Sequence, residues 1–131
     1  MTAHPESLGT DRRLGIASRW ALAIAIAITV AALVGSLIPR APMPAVPFGD
    51  KLVHAAGYAA LGFFWRGALR GPTSWLLAAV CAFGVLIECL QWLTPWRAFE
   101  LADMVANAAG AAGGLWLFAA FQALRQRLGK D

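Results

Sequence analysis

Four apolar stretches dominate the chain, and each is bounded by proline, glycine or charged residues. A helix needs about 20 apolar residues to cross the hydrocarbon core of a bilayer, and each stretch approaches that length. The first stretch alternates Ala and Ile like a strand. In lipid a lone strand would leave its backbone groups unpaired, so we expect a helix there too. The predicted helices cover residues 19–38, 51–69, 74–93 and 101–124.

The composition supports a membrane protein and argues against nucleic-acid binding. Only 14% of the 131 residues are charged and 60% are hydrophobic, whereas soluble domains carry about 25% charged residues. The net charge is +4, but the basic residues are scattered between apolar runs. They do not form the continuous basic stripe that is typical of nucleic-acid-binding proteins. The predicted fold is therefore all-α, a polytopic membrane protein built as one bundle of four transmembrane helices.

The basic residues predict the orientation of this bundle. If both termini are cytoplasmic, eight of the eleven Lys and Arg residues lie inside, as the positive-inside rule requires. The outer loops then hold only Arg40, Lys51 and Arg97. We therefore expect a multi-pass membrane protein with both termini cytoplasmic. Residues 1–18 would form a disordered cytoplasmic segment, and residues 125–131 a basic cytoplasmic tail.

Three of the predicted helices carry polar residues to the same depth. At a rise of 1.5 Å per residue, His54, Glu88 and Asp103 lie roughly 5–8 Å below the outer surface. Tyr58 and Asn107 lie about one turn deeper. Ionisable residues at membrane depth usually mark a functional site. The sequence therefore predicts one outward-facing polar site on helices two, three and four, with the first helix as apolar support.

Several of these residues also have purely structural interpretations. Asp50 can cap helix two, and Glu100 and Asp103 can favour the positive N-terminal end of helix four. Asn107 can hydrogen-bond a neighbouring helix, and the spacing of Gly110 and Gly114 is typical of closely packed membrane helices. One interpretation of the whole cluster is therefore that it only specifies how the helices pack, with no ligand or reaction.

Glu88 does not fit the structural interpretation, because the C-terminal end of a helix disfavours an anion. It must be protonated or paired with a cation, for which Lys51, His54 and Arg97 are candidates. A carboxylate beside a histidine in a partly dry site is a common acid–base arrangement. The catalytic candidates, if the protein is an enzyme, are His54, Glu88 and Asp103.

The order and spacing of these polar residues resemble the VanZ-like family of bacterial membrane proteins over roughly residues 30–120. The motifs run Asp50-Lys51-x-x-His54-x-x-x-Tyr58, then Glu88-x-x-Gln91, then Arg97-x-x-Glu100-x-x-Asp103-x-x-x-Asn107. The resemblance implies a small helical protein of the cell envelope. The founding member of the family is linked to teicoplanin resistance. All ten named motif residues are candidate ligand-binding residues: Asp50, Lys51, His54, Tyr58, Glu88, Gln91, Arg97, Glu100, Asp103 and Asn107.

The first functional hypothesis is a binding protein of the cell envelope. Its outward site would bind an anionic lipid headgroup, a cell-wall precursor or a glycopeptide, with phosphate contacts from Arg97, Lys51 and Arg40. Membrane lipids are the expected partners in any case. The sequence does not indicate the oligomeric state.

The alternative hypothesis is a membrane-embedded enzyme acting on a lipid-linked substrate, with His54 and either Glu88 or Asp103 as its acid–base pair. A metal site built from these three residues is a weaker variant, because no HExxH-type spacing is present. No cofactor and no metal are therefore predicted, and the sequence leaves open whether the protein is an enzyme.

Overall fold

The structure is a computed structural model that describes residues 7–39, 48–97 and 99–129. Among these residues the only regular secondary structure is α-helix, which confirms the predicted all-α fold class. The four helices are α1 (Ser7–Leu37), α2 (Gly49–Ala68), α3 (Thr73–Trp92) and α4 (Leu101–Leu128).

The first and last helices extend beyond their predicted bounds. α1 begins at Ser7, inside the segment predicted to be disordered, and α4 continues to Leu128 rather than ending near 124. The apolar run sets the length that crosses a bilayer, but it does not set where the helix ends. After the apolar run of α4, residues 125–128 are Arg, Gln, Arg and Leu, all of which are good helix formers. α4 therefore continues until Gly129.

Helices α2 and α4 are parallel and pack with their backbones in contact. A Cβ atom at Gly110 would collide with the carbonyl oxygen of Ala55, and one at Gly114 would collide with that of Ala59. Both members of each pair advance by four residues, so the two helices run in the same direction. Small residues permit such close approach in membrane bundles. The two glycines pack inside the bundle, as their spacing predicted.

Helix α1 runs antiparallel to α2 and joins α3 at one end of the bundle. Trp65 Nε1 donates a hydrogen bond to Thr29 Oγ1 at 3.0 Å. Closer to the end of α1, Gln91 Nε2 donates to the backbone carbonyl of Ser36 at 3.1 Å. α1 and α3 therefore finish at the end of the bundle where α2 and α4 begin. We call this the site end.

The surface of the bundle is apolar. Large hydrophobic side chains are exposed along each helix, as expected where lipid replaces water. Three helical segments are long and apolar enough to cross a membrane: Arg19–Leu37, Thr73–Trp92 and Leu101–Leu128. Helix α2 has 20 residues, as α3 does, but it carries Asp50, Lys51 and Arg66.

Candidate functional site

A lysine surrounded by carboxylates forms the rim of the site end. Lys51 Nζ lies 2.6 Å from Asp50 Oδ2 and 3.0 Å from Asp103 Oδ1. It also forms an ion pair with Glu100 Oε2. One ammonium group therefore faces three carboxylates, and the rim keeps an excess of negative charge. No side-chain hydrogen bond from the N-cap residue closes the start of α2 or α4, whereas the side chains of Asp50 and Glu100 both contact Lys51.

Just below the rim, His54 of α2 is held by α4. Its Nδ1 lies 3.0 Å from Asn107 Oδ1. An amide oxygen only accepts, so Nδ1 carries the proton of this hydrogen bond. Nε2 lies 3.5 Å from Asp103 Oδ2 and has no hydrogen-bond partner among the described residues. The basic nitrogen of a buried imidazole therefore faces a carboxylate.

Glu88 brings a third helix to the same place. Its side chain is completely buried. Its Oε2 accepts a hydrogen bond from the backbone N–H of Glu100 at 3.4 Å, whereas Oε1 has no hydrogen-bond partner in the described part of the chain. One ligand atom each from His54, Glu88 and Asp103 lies within 4.8 Å of the other two. We call these three residues the buried triad.

Tyr58 and Asn107 lie one turn deeper, against Gly84 of α3. A Cβ atom at Gly84 would come within 3.3 Å of both Tyr58 Oη and Asn107 Nδ2. Neither polar atom has a hydrogen-bond partner within the described ranges. Glycine at this position therefore leaves room for the two side chains to meet between the helices.

An apolar groove opens beside His54 and Tyr58. Its volume is about 240 Å³. Three helices line it, with small or apolar residues at most positions: Ala31, Ala32, Gly35, Ser36, Val53, His54, Gly57, Tyr58 and Ile87. Because α1 and α2 contribute most of this lining, the groove gives access to the polar site from the side of the bundle.

The VanZ/LLP1 family model matches residues 22–122 of the sequence. This chain belongs to the VanZ/LLP1 family. Neither a curated protein nor a solved structure matches it. The match spans all of α2 and α3 and the parts of α1 and α4 that contain the site. It confirms the family that the ordered motifs resembled.

In this VanZ/LLP1 chain, most of the predicted site residues do meet at the site end. Lys51 joins Asp50, Glu100 and Asp103 at the rim, and Asp103 also belongs to the buried triad with His54 and Glu88. Gln91 is buried but donates to the backbone of α1, and Arg97 lies half-buried in the connection between α3 and α4. Arg40 lies outside the described residues.

Sequence reasoning missed the contribution of α1 to the site. Ser36 is buried, and together with Gly35 it lines the groove next to His54. The first helix was predicted to give only apolar support. The available signal was the row of small residues at 31, 32, 35 and 36, whose helical spacing is typical of a closely packed or ligand-lining face.

Proposed function

We propose that this VanZ/LLP1 chain is a four-pass protein of the bacterial cytoplasmic membrane that binds an amphiphilic envelope molecule at the site end. The observation that carries the proposal is the meeting of the apolar groove with the polar cluster at His54 and Tyr58. A lipid-like chain would lie in the groove, and its polar head would reach the buried triad and the rim. Apolar pockets with a few convergent polar groups are the usual form of ligand sites.

The crossing of α2 is supported by its packing. It is parallel to α4 in direct backbone contact, and α4 is apolar enough to span the membrane. Asp50 and Lys51 lie in its first turn and Arg66 in its last, so the charged groups fall at the two interfaces. Long basic side chains at helix ends extend to the interface while the helix crosses.

The outward orientation of the site end is supported by the arginines at the other end. Arg66, Arg70 and Arg125 line a single groove there, and Arg127 follows in the last turn of α4. Arginine-rich ends of membrane helices face the cytoplasm. Both termini would then be cytoplasmic, and the polar cluster would face the cell envelope.

Candidate ligands are an anionic lipid, a cell-wall precursor and a glycopeptide with a lipid tail, the last in line with the teicoplanin link of the VanZ-like family. Lys51 is already surrounded by carboxylates. Its charge is therefore shared among three acidic neighbours, and further positive charge for an anionic head is proposed to come from the loops, where Arg97 lies and where Arg40 falls outside the described residues. The buried triad would meet the uncharged or hydrogen-bonding part of the head.

Filling the groove tests this proposal. A Cβ atom added at Gly57 meets nothing within 4 Å, and Gly57 lines the groove, so Gly57→Leu should fold with its side chain in the groove. Gly113 also has open space around it but does not line the groove, which makes Gly113→Leu the matched control. After extraction in mild detergent, native mass spectrometry should show lipid retained by the control and by wild type, and little retained by Gly57→Leu. Equal retention by all three proteins would contradict the proposal.

A second candidate function is catalysis on a lipid-linked substrate, with His54 and either Asp103 or Glu88 as the acid–base pair. The observation that favours it is the buried Nε2 of His54, 3.5 Å from Asp103 Oδ2 and beside the groove. A general base has to lie within hydrogen-bond reach of its proton, and this nitrogen faces the proposed ligand path. If the protein is an enzyme, His54→Gln abolishes the change in membrane lipid composition caused by overexpression, yet leaves lipid retention intact.

A further inference from the structure

We infer that the buried triad of His54, Glu88 and Asp103 binds one divalent transition-metal ion of the Zn²⁺ or Mn²⁺ type. The inference deepens the proposed function and rests on it for what the ion would do, namely meet the polar head of the amphiphile. Binding of the ion itself depends only on the three side chains.

The spacing of the three ligand atoms fits a single ion. Donor atoms bound to one ion at about 2.1 Å lie about 3–4.2 Å from one another. One ligand atom from each member of the buried triad lies within 4.8 Å of the other two. Small side-chain rotations would therefore bring all three atoms within bonding distance of one ion. They come from α2, α3 and α4, and the bundle therefore holds them at one place without any short sequence motif.

Each member of the buried triad has one polar atom in contact with a neighbour and a second polar atom left over. His54 uses Nδ1 for Asn107, which leaves Nε2. Glu88 uses Oε2 for the backbone of Glu100, which leaves Oε1. Asp103 uses Oδ1 for Lys51, which leaves Oδ2 facing His54. Metal-binding histidines almost always donate their other N–H to a fixed acceptor, as His54 does here.

The charges also call for a cation at the centre. Glu88 is completely buried and Asp103 is 6% exposed, and carboxylates at membrane depth are stabilised by nearby positive charge. Lys51 pairs with Asp103 but is shared with Asp50 and Glu100. His54 Nε2 lies 3.5 Å from the other oxygen of Asp103. Imidazole ligands favour transition metals, whereas Mg²⁺ and Ca²⁺ prefer oxygen alone. One nitrogen and two carboxylate ligands therefore match Zn²⁺ or Mn²⁺.

The first test is the metal content of the full-length protein, extracted in mild detergent without a chelator. Inductively coupled plasma mass spectrometry should find close to one transition-metal ion per chain. After chelation, titration with Zn²⁺ or with Mn²⁺ should restore one equivalent. Asn107→Leu removes the acceptor that orients His54 and should weaken binding about 10–100-fold, the usual effect of such a change.

Substitutions within the buried triad separate it from the rim. His54→Ala, Glu88→Gln and Asp103→Asn should each lose the ion. Glu100→Gln should retain it, because Glu100 contacts Lys51 and supplies only its backbone to Glu88. Loss of the ion from Glu100→Gln, together with its retention by His54→Ala, would overturn the inference and place the ion at Asp50, Glu100 and Asp103.

A spectroscopic measurement on the folded wild type covers the case in which those variants do not fold. The chain has two histidines, His4 and His54. Mn²⁺ bound at the buried triad should show nitrogen hyperfine coupling that survives in His4→Ala. Absence of nitrogen coupling, or the absence of any ion above the level in the buffer, overturns the inference.

Gly57→Leu distinguishes failure of the metal site from failure of the proposed function. It should lose retained lipid and keep the ion. If the ion is absent while lipid retention depends on the groove, the metal inference fails alone. If the ion is present and lipid retention is unchanged by Gly57→Leu, the proposed function fails and the metal site stands.

Discussion

Lys51 sets the balance of charge at the rim of the site end. Its ammonium group contacts carboxylates of Asp50, Glu100 and Asp103. The sequence suggested that it would bind a phosphate. Its three acidic neighbours come from α2 and from the start of α4. Their spacing along the chain did not predict that all three would contact Lys51. Lys51 therefore acts as the internal counter-ion of the rim.

Removal of this charge should make stability depend on pH. In Lys51→Ala the three carboxylates repel one another when ionised, so the variant should melt below wild type in detergent at pH 8. As the pH falls, protonation removes the repulsion, and the deficit relative to wild type should shrink. Lys51→Arg keeps the charge and should stay close to wild type at both pH values. A Lys51→Ala deficit that does not change between pH 8 and pH 5 would contradict this role.

At the level of the helices, the contact between α2 and α4 was predictable and the role of α1 was not. Gly110 and Gly114 have the spacing of a close helix contact, and polar residues on α2 and α4 mark the same end. Helix α1 has no charged residue between Trp20 and Leu37, so its row of small residues was the available sign that the face containing Ser36 packs closely. Only the packed bundle shows that this residue lies beside His54.

The close contact between α2 and α4 can be tested with neighbouring glycines. A methyl group at Gly114 collides with the backbone of Ala59, whereas one at Gly113 meets nothing within 4 Å. Overpacking a tight contact costs about 1–3 kcal/mol. Gly114→Ala should therefore unfold at a lower temperature than wild type, and Gly113→Ala should not. Equal melting temperatures for the two variants would show that α2 and α4 are not in backbone contact.

For the molecule as a whole, the position of each polar residue along its helix can be estimated by counting residues from the nearest loop. Counting from the ends brought His54, Glu88 and Asp103 to one level, and the structure places them in one cluster. Counting could not show which atoms are already bound by neighbours. The enclosure of Lys51 and the free atoms of the buried triad depend on side-chain packing between helices.

The central claim is that α2, α3 and α4 bring their polar residues to one end of the bundle, facing the cell envelope. It can be tested with single cysteines in a Cys81→Ala, Cys89→Ala background, labelled in intact cells with a membrane-impermeant maleimide. Phe48 and Phe99 are exposed at the site end and precede α2 and α4, while Arg70 and Gly129 are exposed at the other end.

Phe48→Cys and Phe99→Cys should both be labelled from outside, and Arg70→Cys and Gly129→Cys only after permeabilisation. Labelling of positions 48 and 99 from opposite sides of the membrane would contradict the account.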